Sequence, residues 1–262
     1  MRWNIRCLSI VITFVLWASA VAFTQVPKPG KNQVTVRGKQ QDVYFLPAAG
    51  AGPHEKVLFA PGDGGWRGFA IDMAKSLSAA GYDVYGIDTR HYLESFTGPT
   101  VLKTSEISAD FRQLALWALQ NQPGLILVLG WSEGAGLSLA AAADNAQRDL
   151  FRGVVAVGVT EFNILAWRWK DIGAEITKSL PNEPIFKTAD YIGKVSPLPL
   201  FMVASTADEY VKEDTTRALF ASAHEPKRLA MIKAGDHRFS GSTDEFYRTL
   251  KEALSWVQQA PR

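Results

Sequence analysis

The stretch LILVLGWSEGAGLSLAAAA, from Leu125 to Ala143, changes abruptly at Gly-Trp-Ser-Glu-Gly from strand-type residues to small residues. This change predicts a strand, a sharp turn and a helix. In a G-x-S-x-G turn the serine is held in a strained conformation above a parallel sheet, and the glycines let the helix double back against the strand. The pattern makes Ser132 the candidate nucleophile. An ordinary strand-to-helix turn that carries a solvated serine is the alternative.

The chain on both sides of this turn alternates apolar strands with helical patterns, which predicts a parallel sheet covered by helices on both faces. Two short strands near the N-terminus, separated by Gly38, predict an antiparallel edge. With 262 residues and 47% hydrophobic content, residues 23–262 fit one α/β domain. The last helix is expected to begin with a capping box, Ser242-Thr-Asp-Glu245. The predicted strands are 34–36, 43–46, 56–60, 82–87, 125–129, 153–159, 198–204 and 228–233, and the predicted helices are 68–80, 104–120, 133–148, 211–223 and 242–258.

The alternation breaks at about residues 160–197, where aromatic residues are scattered among prolines and charges. This composition predicts a lid-like insertion over the carboxyl edge of the sheet, with a helix near residues 171–179. A long surface loop is the alternative.

The first 22 residues differ from the rest of the chain. Arg2 and Arg6 precede an uncharged run from Cys7 to Ala22, which ends in two Ala-x-Ala sites. This pattern is typical of a signal peptide, and we expect an exported, periplasmic protein. An uncleaved anchor in the inner membrane is the alternative.

The composition excludes several classes of protein. Cys7 is the single cysteine, so the mature chain is neither a thiol enzyme nor a zinc–thiolate protein. Removing Arg2 and Arg6 from the 28 basic residues leaves 26, equal to the 26 acidic residues. A near-neutral chain without a basic run is not suited to binding nucleic acid.

A nucleophilic serine needs a base within hydrogen-bond reach and an acid that orients the base. The chain has four histidines. His237 follows the last predicted strand on a short loop and is the candidate base. We expect His54 and His224 to be solvated and His91 to line the pocket.

The acid should follow the preceding strand, which ends near Ala204. Asp208 is the candidate, and the adjacent Glu209 is its rival. The chain order Ser132, Asp208, His237 is the order of the α/β-hydrolase fold. We therefore predict this fold, with a mostly parallel sheet, helices on both faces and a short lid-like insertion.

Acyl transfer also needs two fixed amide donors for the oxyanion. We expect them to be the backbone amides of Glu133, directly after the nucleophile, and of Asp63, in the glycine-rich loop that follows strand 56–60. This loop lacks both G-K-[ST] and G-x-G-x-x-G, which disfavours nucleotide binding.

The substrate is expected to contact this loop and the aromatic residues around it. No spacing typical of metal ligands is present, and we expect no metal and no cofactor. The candidate substrate-binding residues are Gly62, Gly64, Trp66, His91, Trp131, Trp167 and Trp169.

Two motifs add a family resemblance. The segments Gly62-Asp-Gly-Gly-Trp66 and Gly86-Ile-Asp-Thr-Arg-His-Tyr92, followed by the serine turn, resemble the bacterial virulence-protein J (VirJ/AcvB) family, from about Val57 to the C-terminus. The resemblance implies an exported hydrolase of aminoacylated phosphatidylglycerol, notably the lysyl ester, with catalytic roles on Ser132, Asp208 and His237.

One departure from the family leaves the substrate open. The family has tyrosine before the serine and an aromatic residue after it, whereas this chain has Trp131 and Glu133.

Two functions remain. The first is an exported serine esterase that acts on a small-molecule or lipid ester in peripheral contact with a membrane surface. The second is a non-catalytic protein of the same fold that serves as a periplasmic binding or secretion-associated partner. The complete set of serine, acid and histidine favours the enzyme.

Overall fold

A central eight-stranded sheet organises the computed structural model, which describes residues 26–171, 173 and 182–261. Two further strands form a small separate sheet. In chain order the strands are β1 (Gly30–Val36), β2 (Lys39–Leu46), β3 (Glu55–Ala60), β4 (Tyr82–Ile87), β5 (Ile126–Trp131), β6 (Phe151–Val157), β7 (Phe162–Ile164), β8 (Ile185–Lys187), β9 (Leu200–Ser205) and β10 (Lys227–Ile232).

The order of the strands across the large sheet is β1-β2-β4-β3-β5-β6-β9-β10. The pairs β1–β2 and β2–β4 are antiparallel, and all the others are parallel. This arrangement confirms the predicted antiparallel edge and the mostly parallel sheet. Strand β5 lies near the middle, so the residue that follows it is placed at the centre of the carboxyl edge.

Helices cover both faces of the sheet. The core on one face includes Met73, Leu77, Leu250 and Leu254. The core on the other face includes Leu114. Strands β5 and β9 are therefore buried at every residue. The helices are α1 (Phe69–Ala79), α2 (Thr89–Ser95), α3 (Thr104–Ala118), α4 (Glu133–Ala142), α5 (Ala189–Ile192), α6 (Glu213–Ser222) and α7 (Thr243–Gln259).

Several local predictions differ from the structure. Helix α2 was not predicted; it is short and begins where the Asp88 side chain accepts the His91 amide at 3.1 Å. Helix α4 ends at Ala142 rather than at residue 148. The capping box at Ser242 is wrong, because the Ser242 hydroxyl donates instead to the carbonyl of Lys233 at 2.7 Å.

The predicted insertion contains a short antiparallel hairpin, formed by β7 and β8. Asn163 in β7 is fully buried and lies over Gly136 of α4, where an added Cβ would come within 1.9 Å of the Asn163 Oδ1 atom. Asn163 also donates to the Thr188 hydroxyl at 2.7 Å. The base of the insertion is thus docked on α4 by packing and by buried hydrogen bonds.

Two predictions fall wholly or mostly on residues that the structure does not describe. The signal peptide lies outside the described residues, as does most of the helix predicted at 171–179. Within the described ranges, no helix combines the length and the apolar character needed to cross a membrane.

Candidate active site

The turn between β5 and α4 has the strained conformation that its sequence predicts. Ser132 has φ 57° and ψ −124°, a left-handed backbone that non-glycine residues rarely adopt. A Cβ on Gly130 would lie 2.3 Å from the Gly134 carbonyl oxygen, and a Cβ on Gly134 would lie 1.9 Å from that of Ala60. Both glycines are required because the backbones approach closely, and the turn presents the Ser132 side chain at the carboxyl edge.

Asp208 and His237 are brought together by the loops after β9 and β10. The His237 Nδ1 atom lies 2.6 Å from Asp208 Oδ2. The other carboxylate oxygen of Asp208 accepts the backbone amides of Tyr210 and Val211 at 2.8 and 3.0 Å. These bonds fix the carboxylate, which in turn orients the imidazole ring.

The rival acid, Glu209, contacts the same histidine at a different atom. Its carboxylate accepts the His237 backbone amide at 2.8 Å. Glu209 therefore holds the histidine loop rather than the ring, and the ring contact belongs to Asp208.

The His237 ring lies at the end of β6, beside the serine turn. A Cβ on Gly158 would come within 2.6 Å of the His237 Cε1 atom, while the Ser132 amide donates to the Val157 carbonyl at 2.9 Å. The Trp131 ring lies 5.5 Å from the His237 ring. His237 is only 4% exposed, and its Nε2 atom is buried with no hydrogen-bond partner among the described residues. This nitrogen is the one that the chemistry requires to be available to a hydroxyl.

The glycine-rich loop after β3 packs directly against the serine. A Cβ on Gly62 would lie 3.2 Å from Cβ of Ser132. The loop turns back through a hydrogen bond from the Gly65 amide to the Gly62 carbonyl at 3.0 Å. The buried Thr89 hydroxyl donates to the carbonyl of Pro61 at 2.8 Å. The predicted oxyanion donors, Asp63 and Glu133, thus lie on the two backbone segments that meet at Ser132.

The Glu133 side chain is buried beneath the insertion. Its carboxylate accepts the Ile164 amide of β7 at 3.0 Å. Burial raises the pKa of the Glu133 carboxyl well above its ordinary value, the nearby Asp63 carboxylate raises it further, and the Ile164 amide opposes both. The residue after the nucleophile therefore ties the serine turn to the hairpin.

The candidate substrate-binding residues fall in different places. Trp131 is buried beside His237, whereas Trp66 packs over Gly86 and stacks on Tyr44, with ring centroids 4.9 Å apart. The His91 ring lies 3.0 Å from the Gln40 carbonyl oxygen. The Nε2 atom of His91 and the ring of Trp66 thus contact the antiparallel edge rather than Ser132 or His237.

The two tryptophans of the insertion differ in exposure. Trp167 is 2% exposed and Trp169 is 77% exposed, and their rings meet edge to face at 5.7 Å. Only Trp169 presents most of its side chain to solvent.

Three residues near the site were not predicted from the sequence. Gly158, with φ 57°, makes room for His237. The Tyr210 ring lies 5.2 Å from the His237 ring and is half exposed. Arg90 donates to the carbonyl of Asp63 at 2.9 Å. Each lies directly after a strand or next to a predicted site residue, which is the one signal that the sequence offers.

Among the described residues, no group of three or more histidine, cysteine, aspartate or glutamate side chains could hold a metal ion. The carboxyl edge holds the three residues predicted as nucleophile, base and acid, Ser132, His237 and Asp208.

Known proteins share this architecture. A family model described as "alpha/beta hydrolase fold" matches residues 56–173. The uncharacterized protein YfhR of Escherichia coli O157:H7 is 23% identical over 219 residues, which cover 80% of this chain and 74% of YfhR.

Two solved structures are similar over most of the chain. The esterase domain of a Rhodothermus marinus protein is 19% identical, covers 87% of this chain and 98% of its own, and superposes with a TM-score of 0.60. A dienelactone hydrolase from Anabaena variabilis is 19% identical and has a TM-score of 0.61. The match covers 88% of this chain and 98% of the dienelactone hydrolase. With the sheet order and the serine turn described above, these matches establish that the chain has the α/β-hydrolase fold.

Proposed function

We propose that the protein is a serine hydrolase that cleaves carboxylic esters with Ser132, His237 and Asp208. The observation that carries this proposal is the Asp208–His237 contact of 2.6 Å beside the strained serine turn. The other ring nitrogen of His237, Nε2, is buried and has no hydrogen-bond partner in the part of the chain that the structure describes. A protein that only binds a ligand has no need of an oriented imidazole in this position.

The proposed reaction proceeds in two halves. The Ser132 hydroxyl attacks the ester carbonyl carbon while His237 Nε2 takes its proton, and the resulting oxyanion accepts hydrogen bonds from the Asp63 and Glu133 amides. The tetrahedral intermediate then breaks its bond to the leaving alkoxide, which receives the proton from His237. Water attacks the acyl-enzyme with the same base, and the free acid leaves as Ser132 regains its proton.

The structural relatives support an ester as the substrate. The similar structures include an esterase domain and a dienelactone hydrolase. The finer proposal, based on the resemblance to VirJ/AcvB, is an aminoacyl ester of phosphatidylglycerol, with lysine as the notable aminoacyl group. The N-terminal pattern supports export to the periplasm and peripheral contact with a membrane surface.

The direct test is covalent labelling and turnover of the purified protein. A fluorophosphonate probe should label wild type but not Ser132→Ala, and p-nitrophenyl esters should be hydrolysed by wild type but not by Ser132→Ala. The control is Ser255→Ala, which should label and turn over like wild type because it removes only a partly buried hydroxyl on α7 that accepts a hydrogen bond from Gln259. A wild-type protein that neither labels nor turns over would favour the non-catalytic binding protein.

The lipid proposal needs its own test. Vesicles that contain lysyl-phosphatidylglycerol should release free lysine with wild type and none with Ser132→Ala. Brisk cleavage of soluble esters with untouched lipid would refute the lipid substrate and leave a general carboxylesterase.

A further inference from the structure

We propose that Arg90 is a positioning residue for the oxyanion hole, holding the glycine-rich loop in place through the backbone of Asp63. The inference rests on the proposed function, because it concerns the same site. Its basis is a continuous set of contacts from the insertion, through Arg90, to the backbone of Asp63.

The first contact fixes the loop backbone. Arg90 Nε donates to the Asp63 carbonyl oxygen at 2.9 Å. In a peptide unit the carbonyl and the following N–H point in opposite directions, so holding this carbonyl also sets the direction of the Gly64 amide and restrains the Gly62–Asp63 unit before it. A hydrogen bond from a charged donor is stronger than one from a neutral donor.

The second contact fixes Arg90 itself. Its guanidinium carbon lies 4.2 Å from the centroid of the Trp167 ring, within the range of a cation–π interaction. Trp167 is buried, and its backbone amide donates to the Thr97 hydroxyl at 3.0 Å. The cation–π contact with this buried ring therefore restrains the guanidinium beside the loop.

The third observation is that the loop backbone passes close to Arg90 and Asp88 at Gly65. Gly65 has φ 76°, and an added Cβ would lie 3.1 Å from the Arg90 Cβ atom and 2.6 Å from Asp88 Oδ1. The same loop packs on Ser132 through Gly62. Arg90 thus completes a clamp that holds the proposed oxyanion donor at Asp63 against the nucleophile.

This role predicts a loss of turnover that does not depend on the charge of the substrate. Arg90→Met keeps an apolar side chain under Trp167 but removes the donor, and Arg90→Lys keeps the charge but loses the planar fork. We expect kcat to fall about 10- to 100-fold in Arg90→Met, somewhat less than for loss of an oxyanion donor itself, with KM little changed. The loss should be equal for p-nitrophenyl butyrate and for the anionic mono-p-nitrophenyl glutarate.

Two further measurements separate positioning from a general structural effect. Millimolar guanidinium should restore part of kcat in Arg90→Ala but none in Arg90→Met, where the side chain fills the space. Hydrogen–deuterium exchange of the peptide that covers residues 61–66 should rise in Arg90→Met. Arg112→Met is the control, since Arg112 is also held by hydrogen bonds, in its case to the Asp149 carboxylate beside the start of β6, at the opposite end of that strand from the site.

Unchanged kcat and unchanged exchange in Arg90→Met would overturn the proposal. So would a defect confined to KM for the anionic ester, which would make Arg90 a binding residue for a substrate carboxylate. Wild type without esterase activity would refute the proposed function, whereas the exchange measurement would still decide whether Arg90 holds the loop.

Discussion

Glu209 accepts the backbone amide of His237 at 2.8 Å, while its sequence neighbour Asp208 contacts the ring of the same histidine at 2.6 Å. Two adjacent carboxylates thus have separate tasks at one residue. Glu209 holds the histidine loop, and Asp208 orients the imidazole ring.

This division predicts different kinetic effects for the two isosteric amides. Asp208→Asn should lower kcat about 10²- to 10⁴-fold, because it removes the negative charge that orients and stabilises the protonated imidazole. Glu209→Gln keeps an oxygen acceptor for the His237 amide and should cost little. The check is kcat on a p-nitrophenyl ester, and the reverse ranking would identify Glu209 as the acid.

The residues proposed as nucleophile and base should act as a unit. Ser132→Ala and His237→Ala are each expected to lower kcat by about 10³- to 10⁶-fold, and the double variant should be hardly worse, because loss of either partner already removes the nucleophilic step. His224→Ala, at a histidine away from the carboxyl edge, is the control. Comparable turnover in either single variant would remove these residues from the mechanism.

The glycines of the loop after β3 are expected to differ in their tolerance of a side chain. Gly62→Ala places its Cβ 3.2 Å from that of Ser132, whereas a Cβ on Gly64 meets only the flexible Arg67 side chain at 3.5 Å. Gly62→Ala should lower kcat about 10-fold or more, because it displaces the glycine-rich loop that carries the proposed oxyanion donor Asp63. The change in Tm should be small. Gly64→Ala should retain most of the activity. Equal loss in both variants would contradict this reading of the loop.

Much of this site could be predicted from the sequence because each part follows a strand. Ser132 follows β5, the loop with Asp63 follows β3, Asp208 follows β9 and His237 follows β10. The carboxyl ends of parallel strands lie at one edge of the sheet. The positions of these residues in the chain were therefore enough to predict that they lie at the same edge.

The contacts that cross between distant segments could not be predicted in the same way. They depend on how the insertion and the antiparallel edge fold back on the sheet. Three such contacts are the burial of Glu133 under β7, the cation–π contact of Arg90 with Trp167, and the packing of Trp66 on Tyr44. No local pattern specifies these approaches. The predicted capping box at Ser242 is wrong for a simpler reason, because the Ser242 hydroxyl donates to the carbonyl of Lys233 instead of accepting a helix amide.

The docking of the hairpin should make Gly136 sensitive to substitution. In Gly136→Ala the new Cβ would approach Asn163 Oδ1 within 1.9 Å, and Asn163 is held on its other side by Thr188. Overpacking of this kind should lower the free energy of unfolding by about 1–3 kcal/mol. Gly98→Ala is the control, because nothing lies within 4 Å of a Cβ there. Equal thermal melts for the two variants would show that the hairpin moves aside at no cost.

The buried carboxyl of Glu133 predicts a dependence of stability on pH. Its pKa is raised well above the ordinary value of 4.5, mainly by burial and further by Asp63. The native state therefore holds a proton that the unfolded state releases, and stability contributed by this group falls as the pH rises above that ordinary value.

Glu133→Gln tests this effect while keeping the shape of the side chain and an oxygen acceptor for the Ile164 amide. Below about pH 4 both side chains are neutral in both states, and the two proteins should have similar free energies of unfolding. As the pH rises, the wild type should lose stability relative to Glu133→Gln by up to about 1.4 kcal/mol per pH unit, until the native carboxyl ionises. Urea unfolding from pH 4 to pH 8 measures the difference, and Glu252→Gln, at an exposed carboxylate on α7, shows what removal of a solvated carboxylate does. A difference between wild type and Glu133→Gln that stays constant over this range would mean that the carboxyl ionises as freely in the folded protein as in water.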